Sequence, residues 1–332
     1  MGFWGYLLRR LILLVPMVWV LLTAAFVMIR ILPGDPVALV VGPDASEQVR
    51  QQVAQELGLN KPLYIQYFNY IWGVLHGNLG TSIQGQSVSA QIGQRLPVSL
   101  ELVFFGIIIA SIMGILIGAF SASRPKSKSD VSSRLFLILI GAFFTPFLGL
   151  LFQYVFGVYF RVLPATGIGA LPSHSVTGFP MLDSLLLGQF GSFYSQVRHI
   201  LLPALTLGIP VSGVIGRLAR SYMLETYSQD YIISARQRGI SESVVLRDYS
   251  LRNAMLPLTT TIGLIAAGLV GGSVLIEQVF NLPGMGLYLT QAILSRNYPQ
   301  VQGAIVVYAL FVGLIGIIVD LTYGFLDPRV KM

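Results

Sequence analysis

Six apolar runs decide what this chain can fold into: Leu11–Ile29, Leu102–Phe120, Leu135–Phe160, Ile200–Ile215, Met255–Leu275 and Ala304–Val319. Each approaches or exceeds the ~20 residues that a helix needs to cross a bilayer. In hydrocarbon every backbone amide must find its partner inside the protein, so such runs are read as α-helices. The expectation is an all-α integral membrane protein with six transmembrane helices, the short fourth and sixth runs being extended by flanking amphipathic turns. Composition agrees, since 11% of residues are charged where a soluble domain carries about 25%. The first run follows Arg9 and Arg10 as a secretory signal would. Its 19 residues exceed a signal core of roughly 7–15, however, and no A-x-A cleavage pattern follows.

Lys and Arg set the orientation. With the N-terminus cytoplasmic, 14 of the 21 basic residues fall inside, while the acidic residues divide seven and seven, so the whole +7 net charge lies on the inner side. Insertion in the plasma membrane explains that charge without a nucleic-acid partner. The expected organisation is a transmembrane helix over 1–32 and an extracytoplasmic segment over 33–98. A five-helix membrane domain over 99–323 follows, with a cytoplasmic loop at 217–255, and then a cytoplasmic tail over 324–332. The outer segment reads as two amphipathic helices broken near Gly58–Pro62, and a second outer loop, 161–199, is rich in Gly, Ser and Pro.

Several chemistries lack their residues. The chain has no cysteine, and His76, His174 and His199 have no metal-like spacing. None of the four lysines follows a glycine, so the chain has no phosphate-binding loop with which to hydrolyse ATP itself. A G-x-S-x-G elbow and an H-E-x-x-H pair are both missing, which argues against an intramembrane hydrolase. No catalytic residue, metal site or cofactor is expected.

One polar stretch breaks the apolar pattern: DYIISARQRGISESVVLRDYSLRNAMLP, Asp230 to Pro257. Asp230 suits an N-cap and Gly239 a left-handed C′ position, so Tyr231–Arg238 reads as a two-turn helix, with Ser241 capping the next one. A helix of about 12 Å is too short to stand alone in water. Ala235 and Gly239, four apart, permit close approach of another backbone. A solvated loop without a partner, a DNA-binding helix-turn-helix and a docking helix for a cytoplasmic motor all remain open on these residues. The spans on either side leave no room for the core that a helix-turn-helix requires.

LRRLILLVP, LPGDP, ELGLNKPLYIQY, DYIISARQRGIS, LRNAMLP, VFNLPGMG and LDPRV occur in that order along nearly the whole chain. Together they resemble the dipeptide/oligopeptide-type permease subunits of ABC importers. The resemblance implies the type-1 permease fold. It also implies a coupling helix that enters a cleft of the ATP-binding subunit, here Tyr231, Ile232, Ile233, Ser234, Ala235, Arg236, Arg238 and Gly239. Ile233 and Ser234 stand where the general family motif has Glu and Ala, as in the peptide branch. The implied partners are a second homologous permease or another copy of this one, two ATP-binding subunits and an extracytoplasmic solute-binding protein. Peptides are the default cargo, although glutathione, metal-chelate and oligosaccharide members look alike at this level. A channel or secondary transporter working without ATPases is the alternative.

The fifth run carries Thr260, Gly268, Gly271, Gly272, Ser273 and Glu277. Small residues there serve either tight helix packing or a path for solute. Glu277 is expected at the vestibule or the outer interface. Pro146, Pro203 and Pro210 are expected to kink their spans, and Gln153 and Asp320 to face protein or water.

Overall fold

The computed structural model describes residues 15–27 and 60–326, with positions 12, 46–48, 51 and 55, and side chains as far as Ile318. The readings made for most of residues 1–14 and 28–59, for the side chain of Asp320 and for the tail from 327 lie outside the described residues. Among those described, the regular structure is helical, with one isolated antiparallel bridge between Thr81 and Ser87.

In chain order the helices are α1 (Val15–Val27), α2 (Leu63–Leu75), α3 (Val88–Ser123), α4 (Lys128–Gly141), α5 (Thr145–Tyr159), α6 (Pro180–Leu186), α7 (Phe190–Tyr227), α8 (Asp230–Gln237), α9 (Glu242–Val279), α10 (Met285–Leu294) and α11 (Tyr298–Leu326). α5 and α9 contain π-helical stretches, at Gln153–Tyr159 and Val245–Leu251. Four helices (α3, α7, α9 and α11 over Tyr298–Ile318) are long and apolar enough to span a membrane, and α4 with α5 would make a fifth. The expected count of six is not reached among the described residues, because the first run is seen only as Val15–Val27.

Three expectations need correction. The third run is two helices meeting at 91°. Thr145 and Pro146 open α5, where a residue without an amide hydrogen costs least, so Pro146 starts a helix instead of kinking one. Pro203 and Pro210, by contrast, sit inside α7, which continues through both. Finally, α3 begins at Val88, so the boundary expected at residue 98 falls inside a helix. Its polar opening turns QIGQRLPVSLE hid it from an apolar count. Ser87 caps that start, accepting from the Ala90 amide.

α3 and α7 form the centre of the bundle. Gly106, Ala110, Gly114, Gly118 and Ala122 recur every fourth residue on α3 and are all buried. They face Gly208, Ser212 and Gly216 of α7 at backbone contact: a Cβ on Gly118 would lie 2.5 Å from the Gly216 carbonyl oxygen, and one on Gly208 2.7 Å from that of Gly106. On another face of α7, a Cβ on Gly213 would meet the Leu137 carbonyl of α4 at 2.5 Å. The ends of the three helices are then tied by charge. Arg220 donates two hydrogen bonds to Asp130, at 2.8 and 2.9 Å, and Ser121 and the Lys126 amide donate to the same carboxylate. Asp130 is 1% exposed, a burial tolerable because four donors, two of them on the bidentate guanidinium, compensate it.

Candidate functional site

The polar insert folds as expected in outline. α8 covers Asp230–Gln237, Gly239 has φ +76°, and its amide donates to the Arg236 carbonyl while that of Ile240 reaches Ala235. That is a helix stop built on a residue without a Cβ. Details differ. Gln229 occupies the N-cap and Asp230 is in the first turn, where its charge still favours the helix dipole. Ser241 does cap the next helix by position, but its side chain makes no capping hydrogen bond.

The eight candidate coupling residues divide by face. Ile232 and Ala235 are buried with Val245 against Tyr227, Ile240 and Tyr249, so α8 is packed onto the end of α7 and the start of α9. The reading of Ala235 and Gly239 as one close-approach surface therefore fails: Ala235 is consumed inside the chain, whereas a Cβ on Gly239 would meet nothing within 4 Å. Tyr231, Ile233, Arg236, Arg238 and Gly239 face outward, with Ser234 half-buried. Arg236 forks onto Glu242, at 3.1 and 2.6 Å, and lies over the Tyr227 ring at 5.2 Å. The hydrogen bond to Glu242 raises the pKa of the guanidinium above its usual value, and it stays charged. Arg238 donates to Ser234. The exposed face is thus basic, aromatic and aliphatic together.

α9 carries the other candidates. Gly268, Gly271 and Gly272 are exposed, and a Cβ on any of them meets nothing within 4 Å. They continue a face with Leu264 and Leu275, which are 60% and 50% exposed. Thr260 is half-buried, and its hydroxyl oxygen is buried without a hydrogen-bond partner. Ser273 and Glu277 are fully buried and share no open surface with the glycines. Glu277 faces neither vestibule nor outer interface. Its carboxylate accepts from Ser99 and Ser273 at 2.7 and 3.0 Å, and from the amides of Gly286 and Leu287 at 2.6 and 3.2 Å. Four donors, two of them at the start of α10, hold a carboxylate that would otherwise be costly there. Ser99, which also accepts from the Met285 amide, was not singled out from sequence. Gln153 bridges the carbonyls of Ala165 and Val279, facing protein as expected.

No group of His, Cys, Asp and Glu among the described residues could hold a metal ion.

Comparison with known proteins decides the family. Residues 114–332 match the model described as "Binding-protein-dependent transport system inner membrane component", and residues 3–103 match the N-terminal model for membrane components of the same systems. The chain belongs to this family of inner membrane transport components. It is 36% identical over 331 residues to a dipeptide transport system permease protein of Alkalihalophilus pseudofirmus, covering 98% of this chain and 99% of the relative. It is equally 36% identical to the dipeptide transport system permease protein of Escherichia coli K12, covering 98% of each, and 37% identical to a probable D,D-dipeptide permease of the same strain, covering 99% and 98%. A crystal structure described as an amino acid ABC transporter with histidines aligns with 71% of this chain and 94% of its own, at 13% identity and a TM-score of 0.49. The permease is thus a multi-pass membrane transport component, as its apolar helices require.

Proposed function

We propose that the permease is one of two membrane subunits of an ATP-driven importer for peptides, and that α8 is its coupling helix. The observation that carries the reading is α8 itself. It is held by its own chain through Ile232 and Ala235 and still presents Tyr231, Ile233, Arg238 and Gly239 outward. Peptides are favoured as cargo by the near-full-length identity with dipeptide permeases. The charge distribution favours a cytoplasmic N-terminus and a cytoplasmic α8. Two ATP-binding subunits, a second permease and an extracytoplasmic solute-binding protein complete the assembly.

The architecture suits transmission of force. Val245 and Tyr249, which hold α8, belong to α9, and α9 runs without a break from Glu242 to Val279, past Thr260 and the open glycines to the Glu277 knot. At 1.5 Å per residue it is about 57 Å long. ATPases closing on one another would displace α8, and α9 would carry that displacement past the face where a second permease lines the path, giving alternating access.

Gly239→Val tests the role. At φ +76° a β-branched residue is strained by about 1–2 kcal/mol, and the added methyls enter the space a partner would fill. Uptake and ATP hydrolysis by the complex reconstituted in vesicles should fall about tenfold or more, as a loss of order 1.4 kcal/mol in coupling implies, with the permease retained in the membrane. Ser241→Ala, which removes no hydrogen bond, should leave both intact. Wild-type uptake with wild-type ATPase binding in Gly239→Val would return α8 to a partnerless loop.

A further inference from the structure

At the end of α3 opposite α8, a cavity of about 450 Å³ opens between α3, the loop before α6 with the start of α6 itself, and Pro283 just ahead of α10. Arg95 lines it. Its guanidinium lies 4.8 Å over the ring of Tyr288, itself 2% exposed and hydrogen-bonded through its hydroxyl to Gln91. Among the described residues Arg95 makes no hydrogen bond and no ion pair, so its planar fork of donors is held by a ring face with its edge unused. A cation held over a ring face keeps its N–H donors, and a guanidinium with free donors can grip a carboxylate with two bonds.

The wall of this cavity contains one carboxylate, Asp183, and it is already spent. It is 1% exposed and accepts from Ser175 Oγ, the Val176 amide, Thr177 through both amide and hydroxyl, and the Gly178 amide. The site therefore offers a cation without a free anion. A zwitterionic peptide needs both signs, and a lone carboxylate needs only Arg95. Leu171, 58% exposed, and Pro172 form an apolar part of the wall. The same loop is tied to α6 just beyond them, where Asp183 accepts from residues 175–178.

We propose that this cavity is a socket for an acidic side chain, Asp or Glu, protruding from the extracytoplasmic binding protein that delivers cargo to the importer. The proposal rests on the importer reading above and adds the contact by which delivery is registered. Arg95 grips the carboxylate, and the Leu171 side of the cavity covers its aliphatic stem.

The test uses the whole permease–ATPase complex in lipid nanodiscs and the purified binding protein of the same importer as probe. Capture of that protein is measured by surface plasmon resonance for wild type, Arg95→Lys, Arg95→Gln and Arg95→Glu, with assembly checked by co-purification. Loss of one such charge contact should weaken capture about tenfold in Arg95→Gln and more in Arg95→Glu, mainly through faster dissociation, with Arg95→Lys between. An Asp or Glu to Arg exchange on the binding protein should restore capture by Arg95→Glu. Free dipeptide at millimolar concentration should not compete. Leu171→Glu, on the exposed wall, places a negative charge beside Arg95 and should weaken capture too, which keeps the test decisive if the Arg95 variants fail to assemble. Equal capture by wild type, Arg95→Glu and Leu171→Glu overturns the socket while leaving the importer intact. Competition by free dipeptide overturns it in favour of a cargo site. Wild-type complex that captures no binding protein and imports nothing overturns the importer reading and the socket together.

Discussion

Two sets of glycines, identical in type and spacing, do opposite things in this molecule. On α3 and α7 the small residues fall every fourth position and each meets the other helix, with backbone oxygens 2.5–2.8 Å from where a Cβ would sit on Gly114, Gly118 and Gly208. On α9, Gly268 and Gly272 keep the same spacing and Gly271 stands beside them, yet a Cβ on any of the three touches nothing. Lipid chains are as apolar as leucine, so helices in a membrane gain by close backbone approach, and glycine permits it. The first set has used that opportunity inside the subunit. The second leaves it open on the subunit's surface, where another permease of the proposed pair would sit. A small-residue stripe therefore marks a close approach without saying whose backbone approaches.

The sharpest way to break this comparison is one substitution made in both places. Gly118→Ala drives a methyl into the Gly216 carbonyl and should cost about 2 kcal/mol or more, since overpacking a fitted contact typically costs 1–3. It is read as a lower melting temperature and reduced monodisperse yield of the permease in detergent. Gly271→Ala in the same lone subunit should do the reverse, stabilising α9 by up to about 1 kcal/mol through helix propensity. Gly271→Leu should leave the lone subunit folded and reduce permease pairing and uptake. Matching destabilisation by the two Ala variants would mean that the α9 face is closed within the subunit.

How much of this was legible follows from what each signal encodes. Apolar runs place the spans because length and hydropathy are local properties, and the Gly239 stop was legible because its φ is a local requirement. The four-residue glycine repeats of α3 and α7 are equally visible in the sequence, but a repeat carries no address and does not tell them from those of α9. The 91° break before Pro146 was hidden within one apolar run, since lipid-facing sequence looks alike on both sides of a bend. Glu277 and Ser99 lie 178 positions apart and meet only after α3, α9 and α10 pack. Nothing local predicts such a pair. Arg220 and Asp130, 90 positions apart, contribute to the charge balance that sets topology, but a count of charges carries no geometry and does not reveal their bond.

Between the closed and the open lies the 160–189 loop, which is exposed yet fixed from within. Burial by itself would raise the pKa of Asp183, but the bonds from Thr177, Val176 and Ser175 outweigh it and hold the carboxyl at about 2, below its ordinary 3.8. A depressed folded-state pKa gives stability that is fully present above the ordinary value and lost as pH falls from about 4 towards 2. A shift of this size is worth about 2 kcal/mol. Asp183→Asn should therefore speed hydrogen exchange at the Val176, Thr177 and Gly178 amides at neutral pH. The difference from wild type should shrink as pH falls through that window. Equal exchange in wild type and Asp183→Asn at neutral pH would assign the loop's rigidity to its prolines and apolar packing instead.

The smallest effect concerns α8, which repeats the contrast within two turns: Ile232 and Ala235 closed, Tyr231 and Ile233 open. The Arg236–Glu242 bond is the one feature that could blur it, because it joins α8 to the start of α9 at 2.6 Å. Both side chains are exposed, at 44% and 58%, so solvent screens the pair whatever its geometry. A double-mutant cycle with Arg236→Gln and Glu242→Gln, read by hydrogen exchange across α8 in the detergent-solubilised permease, should return a coupling of about 0.5 kcal/mol that fades at high salt. A coupling that small leaves Ile232, Ala235 and Val245 as the attachment of α8 and leaves Arg236 able to exchange Glu242 for a partner's carboxylate. Coupling above about 2 kcal/mol, insensitive to salt, is the behaviour of a desolvated pair. It would place Arg236 with the closed face and remove it from the surface offered to an ATPase.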